Sequence, residues 1–506
     1  MCRKSLFPIL FFFTALLPLA LHAQEGAVTL TQEEYQSILQ RLAALEQKAA
    51  AAESRPEATP RVDAVSGATA LSADSAAKYA PAAQPRKERP SWVHNRLTIG
   101  GYGEATARYN MYSHNYLRYF NPEKYKGDHY GEVDLPHVVI SLGYDFGRGW
   151  SMGTEIEFEH GGTESAFEKE EEEGGEYESE VERGGEVALE QFWIQKTFNP
   201  YASIRAGMQI IPVGGLNAHH EPTEFFTVYR PEGEFTILPS TWHEVALTFW
   251  GQAKGWRYQL MLVPGLDSDR FNKKNWIKPG AGSPYEFKLA NCWAGVARVD
   301  YTGVKGLRLS VSGYCGNSFR NTLSRGYTEL EKTKFKEVQG IVSLGSFDFC
   351  YNDHNWVARG SVTYGHLSDS KQITAYNLSM TKSSPSSREP VASDALAAGA
   401  EVGYDFFNFN ERLREKRMRF YVFGRYDFYD SRLLVDGAKD WMYSYCGRHK
   451  ATVGINYFPI KEVAVKAEFG YAILNKGVLD DGTIGKIYND EPAVSIGIVY
   501  AGFFRL

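Results

Sequence analysis

From Arg96 onward, short and long connections alternate without a break. The short ones read FGRG, NPY, GQAKG, TGVKG, YNDHN and FPIK, with a longer basic one, NFNERLREK. The long ones cover 111–131, 161–185, 212–240, 265–287, 317–336, 368–393, 431–448 and 473–491. Between them lie sixteen segments, near 96–110, 132–146, 150–160, 186–198, 201–211, 241–251, 255–264, 288–301, 306–316, 337–350, 355–367, 394–407, 417–430, 449–458, 461–472 and 492–505. Most alternate apolar and polar residues, the sequence signature of a membrane-spanning strand. A soluble sandwich also has many short strands, but it has no reason to keep its turn lengths in strict alternation. The pattern predicts an all-β fold, a 16-stranded antiparallel transmembrane β-barrel over 91–506, with both termini on the periplasmic side.

Alternation also predicts which face is which. In EPAVSIGIVYAGFFRL, Val494, Ile496, Ile498, Tyr500 and Phe504 point one way, and Ser495 and Gly497 the other. In RMRFYVFGRYDFYD, Met418, Phe420, Val422, Tyr426 and Phe428 face lipid, while Arg417, Arg419, Arg425 and Asp427 face inward. An arginine on the lipid side at mid-bilayer costs about 2–4 kcal/mol, which forces this choice. The same rule puts Arg108, Arg205, Arg257, Arg298, Arg308, Arg359, Lys450 and Lys466 inside, with Glu104, Glu155, Glu157, Glu244, Asp300, Glu401, Asp405 and Glu468. Sixteen strands enclose an aqueous channel, so these charges are expected to line a wet pore. Opposed charges across it would set up a transverse field; solvated wall residues with no filter role are the plainer expectation. The fourth segment resists the rule, because Glu190, Phe192 and Ile194 share one face.

The third long loop, PVGGLNAHHEPTEFFTVYRPEGEFTILPS, carries Phe225, Phe226, Val228, Tyr229, Phe235, Ile237 and Leu238. A loop in water needs no such apolar surface. Residues 212–240 are therefore expected to fold inward as a constriction, presenting Glu221, Glu224, Arg230, Glu232 and Glu234 to the pore; a lid on the rim is the alternative. The acidic run FEKEEEEGGEYESEVERGGEV in the second long loop reads as a solvated surface, or as alternating carboxylates for divalent cations bridging to lipopolysaccharide phosphates.

Before the barrel, Arg3 and Lys4 precede an apolar run and LHA ends at Ala23, which predicts a signal peptide over 1–23. Residues 24–52 predict a periplasmic helix: Thr31 and Glu34 form a capping box, and Tyr35, Ile38, Leu42, Leu45 and Ala49 follow coiled-coil spacing. The Ala- and Pro-rich stretch 53–90 reads as a linker. Four cysteines remain after the signal peptide, no disulfide scaffold; a Cys292–Cys315 pair is conceivable near the open end of one hairpin, though the strand register puts the two on opposite faces. A net charge of −6 gives no basic footprint for nucleic acid.

Catalysis has little support. His219, His220 and His243 with Ser240 are the nearest nucleophile-and-base candidates, and no GxSxG elbow occurs. The spacing of HHE and WHE matches no recognised zinc site, so no metal ligand and no cofactor is assigned. On EHGGTE, EEGGEYESEVERGGEVALEQ and HHEPTEFFTVYRPEGEFTILPSTWHEVALTFWG, the chain resembles the phosphate-selective porin O and P family over about 96–506. The resemblance implies a homotrimeric outer-membrane porin with an inward third loop and an outer-membrane lipid and lipopolysaccharide environment. The family's lysine cluster is missing from the third loop here. The expected function is passive diffusion of small hydrophilic solutes or ions, anions such as phosphate among them; a plugged structural or adhesive barrel is the alternative.

Overall fold

The computed structural model describes residues 96–505, apart from 172–176, 240, 283–286, 323–333, 381–383 and 385, with backbone alone over the rest of 163–184. The signal peptide, the 24–52 helix, the linker and the side chains of the acidic run lie outside the described residues.

Sixteen long antiparallel strands form one sheet that closes on itself. They are β1 Leu97–Asn110, β2 His137–Gly147, β3 Trp150–Glu171, β4 Tyr177–Asn199, β5 Ala202–Ile210, β6 His243–Ala253, β7 Trp256–Pro264, β8 Trp293–Val304, β9 Leu307–Asn317, β10 Ile341–Asp353, β11 Trp356–Leu367, β12 Asp394–Asp405, β13 Arg419–Leu434, β14 Gly447–Ile460, β15 Val463–Leu474 and β16 Glu491–Arg505. Each pairs with its neighbours in sequence, and β1 pairs with β16 from Thr98↔Arg505 to Asn110↔Ala493. A short strand, Tyr130–Asp134, prolongs β2 along β1; Pro136, which has no amide hydrogen to donate, sits in the break between them.

The tight connections have physical causes. Arg148–Gly149, Lys254–Gly255 and His354–Asn355 all hold positive φ, the pattern of hairpin turns whose twist suits the strands they join. The second long connection is mostly strand rather than loop. β3 and β4 continue pairing through Glu164↔Gly184 to Glu171↔Tyr177, so they form a hairpin well beyond the expected 150–160 and 186–198.

The outward face is apolar around the barrel. Val138, Leu189, Ile204, Leu247, Leu260, Val311, Val362, Val453, Phe469 and Ile496 are all exposed, as are Val422, Tyr426, Val494, Ile498, Tyr500 and Phe504. At the tight-turn end Phe146, Trp150, Phe198, Tyr201, Trp256, Trp356, Phe406 and Phe409 form an exposed aromatic rim, the girdle expected where strands leave hydrocarbon.

The fourth strand's ambiguity resolves into a β-bulge. Glu155 pairs with Gln191 and Ile156 with Leu189, so Glu190 is the extra residue. Glu190 and Gln191 both turn inward and are buried, while Val187, Leu189, Phe192 and Ile194 all reach the outside.

The interior is not uniformly wet. Inward-facing Met261, Val263, Ala294, Val296, Tyr314, Val342, Leu344, Ala395 and Ala397 meet Leu266, Phe271, Trp276, Ile277, Phe319, Phe335, Ile373 and Tyr376 from the long loops in one apolar core. This departs from an aqueous channel filling the whole cross-section. The reason is that the inner face of β7–β12 is itself partly apolar, and loops with large apolar side chains can cover it. The four described cysteines are free thiols; Cys292 is buried and Cys315 exposed, on opposite sides of the wall.

Candidate functional site in the barrel lumen

Residues 211–242 leave β5, lie against the inner faces of strands on the far side, and return to β6. Their apolar side chains explain the path. Ile211, Val213, Ile237, Leu238 and Trp242 join the core described above. Phe226 packs with Tyr421 and Phe423, its ring stacked on Phe423 at 5.3 Å and 13°. It sits over Gly403, where a Cβ would come within 2.5 Å of the ring, so the wall is notched to receive it. Arg359 also lies over that ring, 5.0 Å from its centre.

Charged wall residues hold the backbone of this segment. The ammonium of Lys466, fully buried, donates to the carbonyls of Pro222, Phe225 and Thr227. Glu401 accepts the Phe226 amide at 3.3 Å and Glu468 the Val228 amide at 2.7 Å. Arg298 donates to the Gly214 carbonyl at 2.9 Å. Within the segment, Glu234 accepts the amides of Gly215, Leu216 and Asn217 at 2.9–3.2 Å and the Ser361 hydroxyl at 2.9 Å. Buried amides and a buried carboxylate satisfy each other in this cradle. Burial nevertheless raises the Glu234 carboxyl above the usual range, with Asp348 adding to it.

The basic residues of β8–β13 are paired rather than bare. Arg298 meets Asp300 at 2.8 Å and Asp348 at 3.0 Å, and Arg308 meets Asp348 at 3.2 Å. Arg359 and Arg425 share Glu401 at 2.7 and 3.2 Å, and Arg425 also grips Asp427 at 2.6 Å. Arg205 is buried, donating to Gln195 at 2.8 Å and lying over Trp193. Glu244 contacts Lys288 at 3.3 Å, and Glu155 accepts from Ser141 at 2.8 Å. Across the lumen, Arg230 reaches Glu157 at 3.7 Å and donates to Thr241 at 2.8 Å. Burial works against the Arg230 charge, but Tyr102, Glu157, Glu104 and Glu190 hold its pKa above the ordinary value.

Among the described residues, cavities with charged groups in their lining include the following. A cavity of about 480 Å³ at the tight-turn end is lined by Tyr201, His219, Arg257, Asp300 and Arg308. Burial, then Arg308 beside it, lowers the His219 imidazole, while Glu224 at 3.6 Å acts the other way. Glu221 is buried nearby in the segment. A second cavity of about 450 Å³ at the long-loop end is lined by Tyr112, Arg118, Tyr471 and Glu491. A third gap, of about 10 Å³, is lined by Arg108, Tyr112, Glu232, Lys450, Glu468, Gly470, Ala472, Glu491, Ala493 and Ser495. That volume is about one water molecule. Here Glu232 meets Lys450 and accepts from the Tyr429 hydroxyl at 2.6 Å, while Arg108 lies over Tyr229 at 4.0 Å. Burial would raise the Glu232 carboxyl, but Lys450, Arg108 and Arg448 outweigh it and hold it well below the usual range.

Sequence reasoning missed the inward aromatics Tyr421 and Phe423, which alternate with Arg419 and Arg425 on a face assigned to water. Aromatic side chains on such a face are the signal for a partner inside the lumen. Of the nucleophile-and-base candidates, Ser240 lies outside the described residues, and His243 contacts the Thr241 carbonyl at 2.8 Å.

No family model matches the chain. An uncharacterised protein of Aquifex aeolicus (strain VF5) is 26% identical over 398 residues, covering 76% of this chain and 78% of that one. Among solved structures, the anion-selective porin from Comamonas acidovorans has a TM-score of 0.45 at 10% identity, covering 80% of this chain and 99% of that one. Pseudomonas putida OprB has a TM-score of 0.46 at 9% identity, covering 81% and 94%. The outer membrane channel DcaP of Acinetobacter baumannii has 0.43 at 11%, covering 80% and 97%.

Proposed function

We propose that this chain is an outer-membrane diffusion channel for small hydrophilic solutes and ions, with residues 211–242 as its constriction. Membrane insertion is supported by the apolar outward belt and the aromatic rim. The observation that carries the conduction reading is the sector formed by β1 and β14–β16. Its inner wall there is small and polar, with Gly470, Ala472, Ala493 and Ser495 facing Glu232 of the inserted segment across a water-sized gap. The gap shares Tyr112 and Glu491 with the large cavity at the long-loop end. Arg108 and Lys450 face Glu232, Glu468 and Glu491, so this gap carries both signs and suits permeation by either type of ion. A homotrimer, which the family resemblance implies, and phosphate among the permeating ions belong to this proposal.

A second reading has its own support. The apolar core on the β7–β12 side and the clamped segment suit a plugged barrel with a structural or adhesive role. Liposome swelling separates the two. Purified protein in vesicles is expected to let small salts equilibrate and to hold back large oligosaccharides. Vesicles that hold back both would overturn the channel and leave the plugged barrel.

A further inference from the structure

One cluster of inward-facing groups is used neither by the clamp nor by the gap. His137 opens β2, and Glu159 and Glu157 stand opposite it on β3, in register with His137 and Val139. Their ligand atoms all lie within 4.8 Å of one another. The imidazole is already oriented: its Nδ1 contacts the Glu104 carboxylate at 2.5 Å, which leaves Nε2 turned to Glu159, 4.0 Å away. A carboxylate on one ring nitrogen, fixing the tautomer and freeing the other nitrogen, is the usual outer shell of a metal-bound histidine.

An independent observation points to a missing positive charge. Glu190, delivered inward by the β4 bulge, is fully buried, and its hydrogen-bond partner is another carboxyl, Glu157. Two buried carboxyls in such contact need either a shared proton or a cation beside them. Isolated buried carboxylates are very costly. Among the described residues, Arg230, 3.7 Å from Glu157, is the one arginine or lysine in ion-pair contact with the four carboxyls of Glu104, Glu157, Glu159 and Glu190. Glu159 and His137 keep partial access to the lumen, with side chains 31% and 15% exposed, so an ion has a way in.

We propose that His137, Glu157 and Glu159 bind a divalent first-row transition cation, with Glu104 as the positioning residue for His137 and Glu190 as the buried charge the cation offsets. One imidazole with two carboxylates is the donor set of a zinc-type ion, whereas calcium and magnesium take oxygen alone. Bonds of about 2.0–2.2 Å are reached by drawing the three side chains together. The site does not depend on whether the barrel conducts.

The test is calorimetric titration of Zn²⁺ into the purified full-length protein in detergent, freed of metal first. One site per chain is expected. His137→Ala and Glu159→Gln are each expected to weaken it at least about tenfold, and Glu104→Gln by about 10–100-fold. Heat-modifiable gel mobility reports whether each variant still holds a folded barrel. Unchanged Zn²⁺ affinity in folded His137→Ala and Glu159→Gln would overturn the assignment. So would the absence of any binding by the wild type, or Ca²⁺ competing on equal terms with Zn²⁺.

Discussion

The buried ammonium of Lys466 donates to the Phe225 carbonyl at 2.8 Å, fastening β15 to a segment that starts at β5. Two further carbonyls share the same nitrogen, and Glu468, two residues on, takes the Val228 amide. Lys466→Met removes the donor and leaves three carbonyls buried without it. Charge-assisted hydrogen bonds are worth about 1.5–3 kcal/mol each, though not additively. The expected result is a segment cut by added protease inside an otherwise intact barrel, read as a nick between 211 and 242 by mass spectrometry.

Phe226 is the apolar counterpart of that clamp. Phe226→Ala empties the seat formed by Tyr421, Phe423 and Gly403 and is expected to cost about 3–5 kcal/mol of segment stability. Gly403→Val should mimic it from the wall side, since the new side chain needs the space the ring occupies. Hydrogen exchange of the 222–230 amides checks both, with faster exchange there and little change in the strands.

Glu232 gives the account a pH dependence. Lys450, Arg108 and Arg448 hold its carboxyl below the unfolded value of about 4.3. A depressed folded pKa stabilises the inserted segment above that value, and the stabilisation is lost as pH falls through the folded one. Through Glu232, protease sensitivity of the segment is therefore expected to rise on acidification below about pH 4. In Glu232→Gln the acid-induced rise should be smaller, from a more sensitive starting point.

The outward belt is testable apart from the lumen. Ile496→Arg places a guanidinium on the lipid face and is expected to lower barrel stability by about 2–4 kcal/mol, depending on its depth in the bilayer. Ile496→Leu should change little. Denaturant titrations in lipid vesicles give both values.

The lipid face was legible because its cause is local: each strand residue is either in hydrocarbon or out of it, so Val494, Ile496 and Ile498 declare the register by themselves. Glu190 was not legible, because a bulge reveals itself only when the partner strand is known. The run 161–185 read as loop because charge suggests solvent, yet its backbone pairs as a hairpin. The inward course of 212–240 was visible in its aromatic content, whereas its anchors were not. Lys466 and Glu468 look like wall charges facing water until the segment that consumes them is in place. His137, Glu157 and Glu159 are far enough apart in sequence that only the β2–β3 register brings them together.

Single-channel recording in planar bilayers bears most directly on the claim that residues 211–242 constrict a conducting barrel. Wild-type protein is predicted to give discrete, small current steps, and Lys466→Met paired with Glu468→Gln is predicted to give larger or noisier ones from a barrel of unchanged strand content. Silent bilayers from both proteins, with the barrel shown to be inserted, would contradict the account.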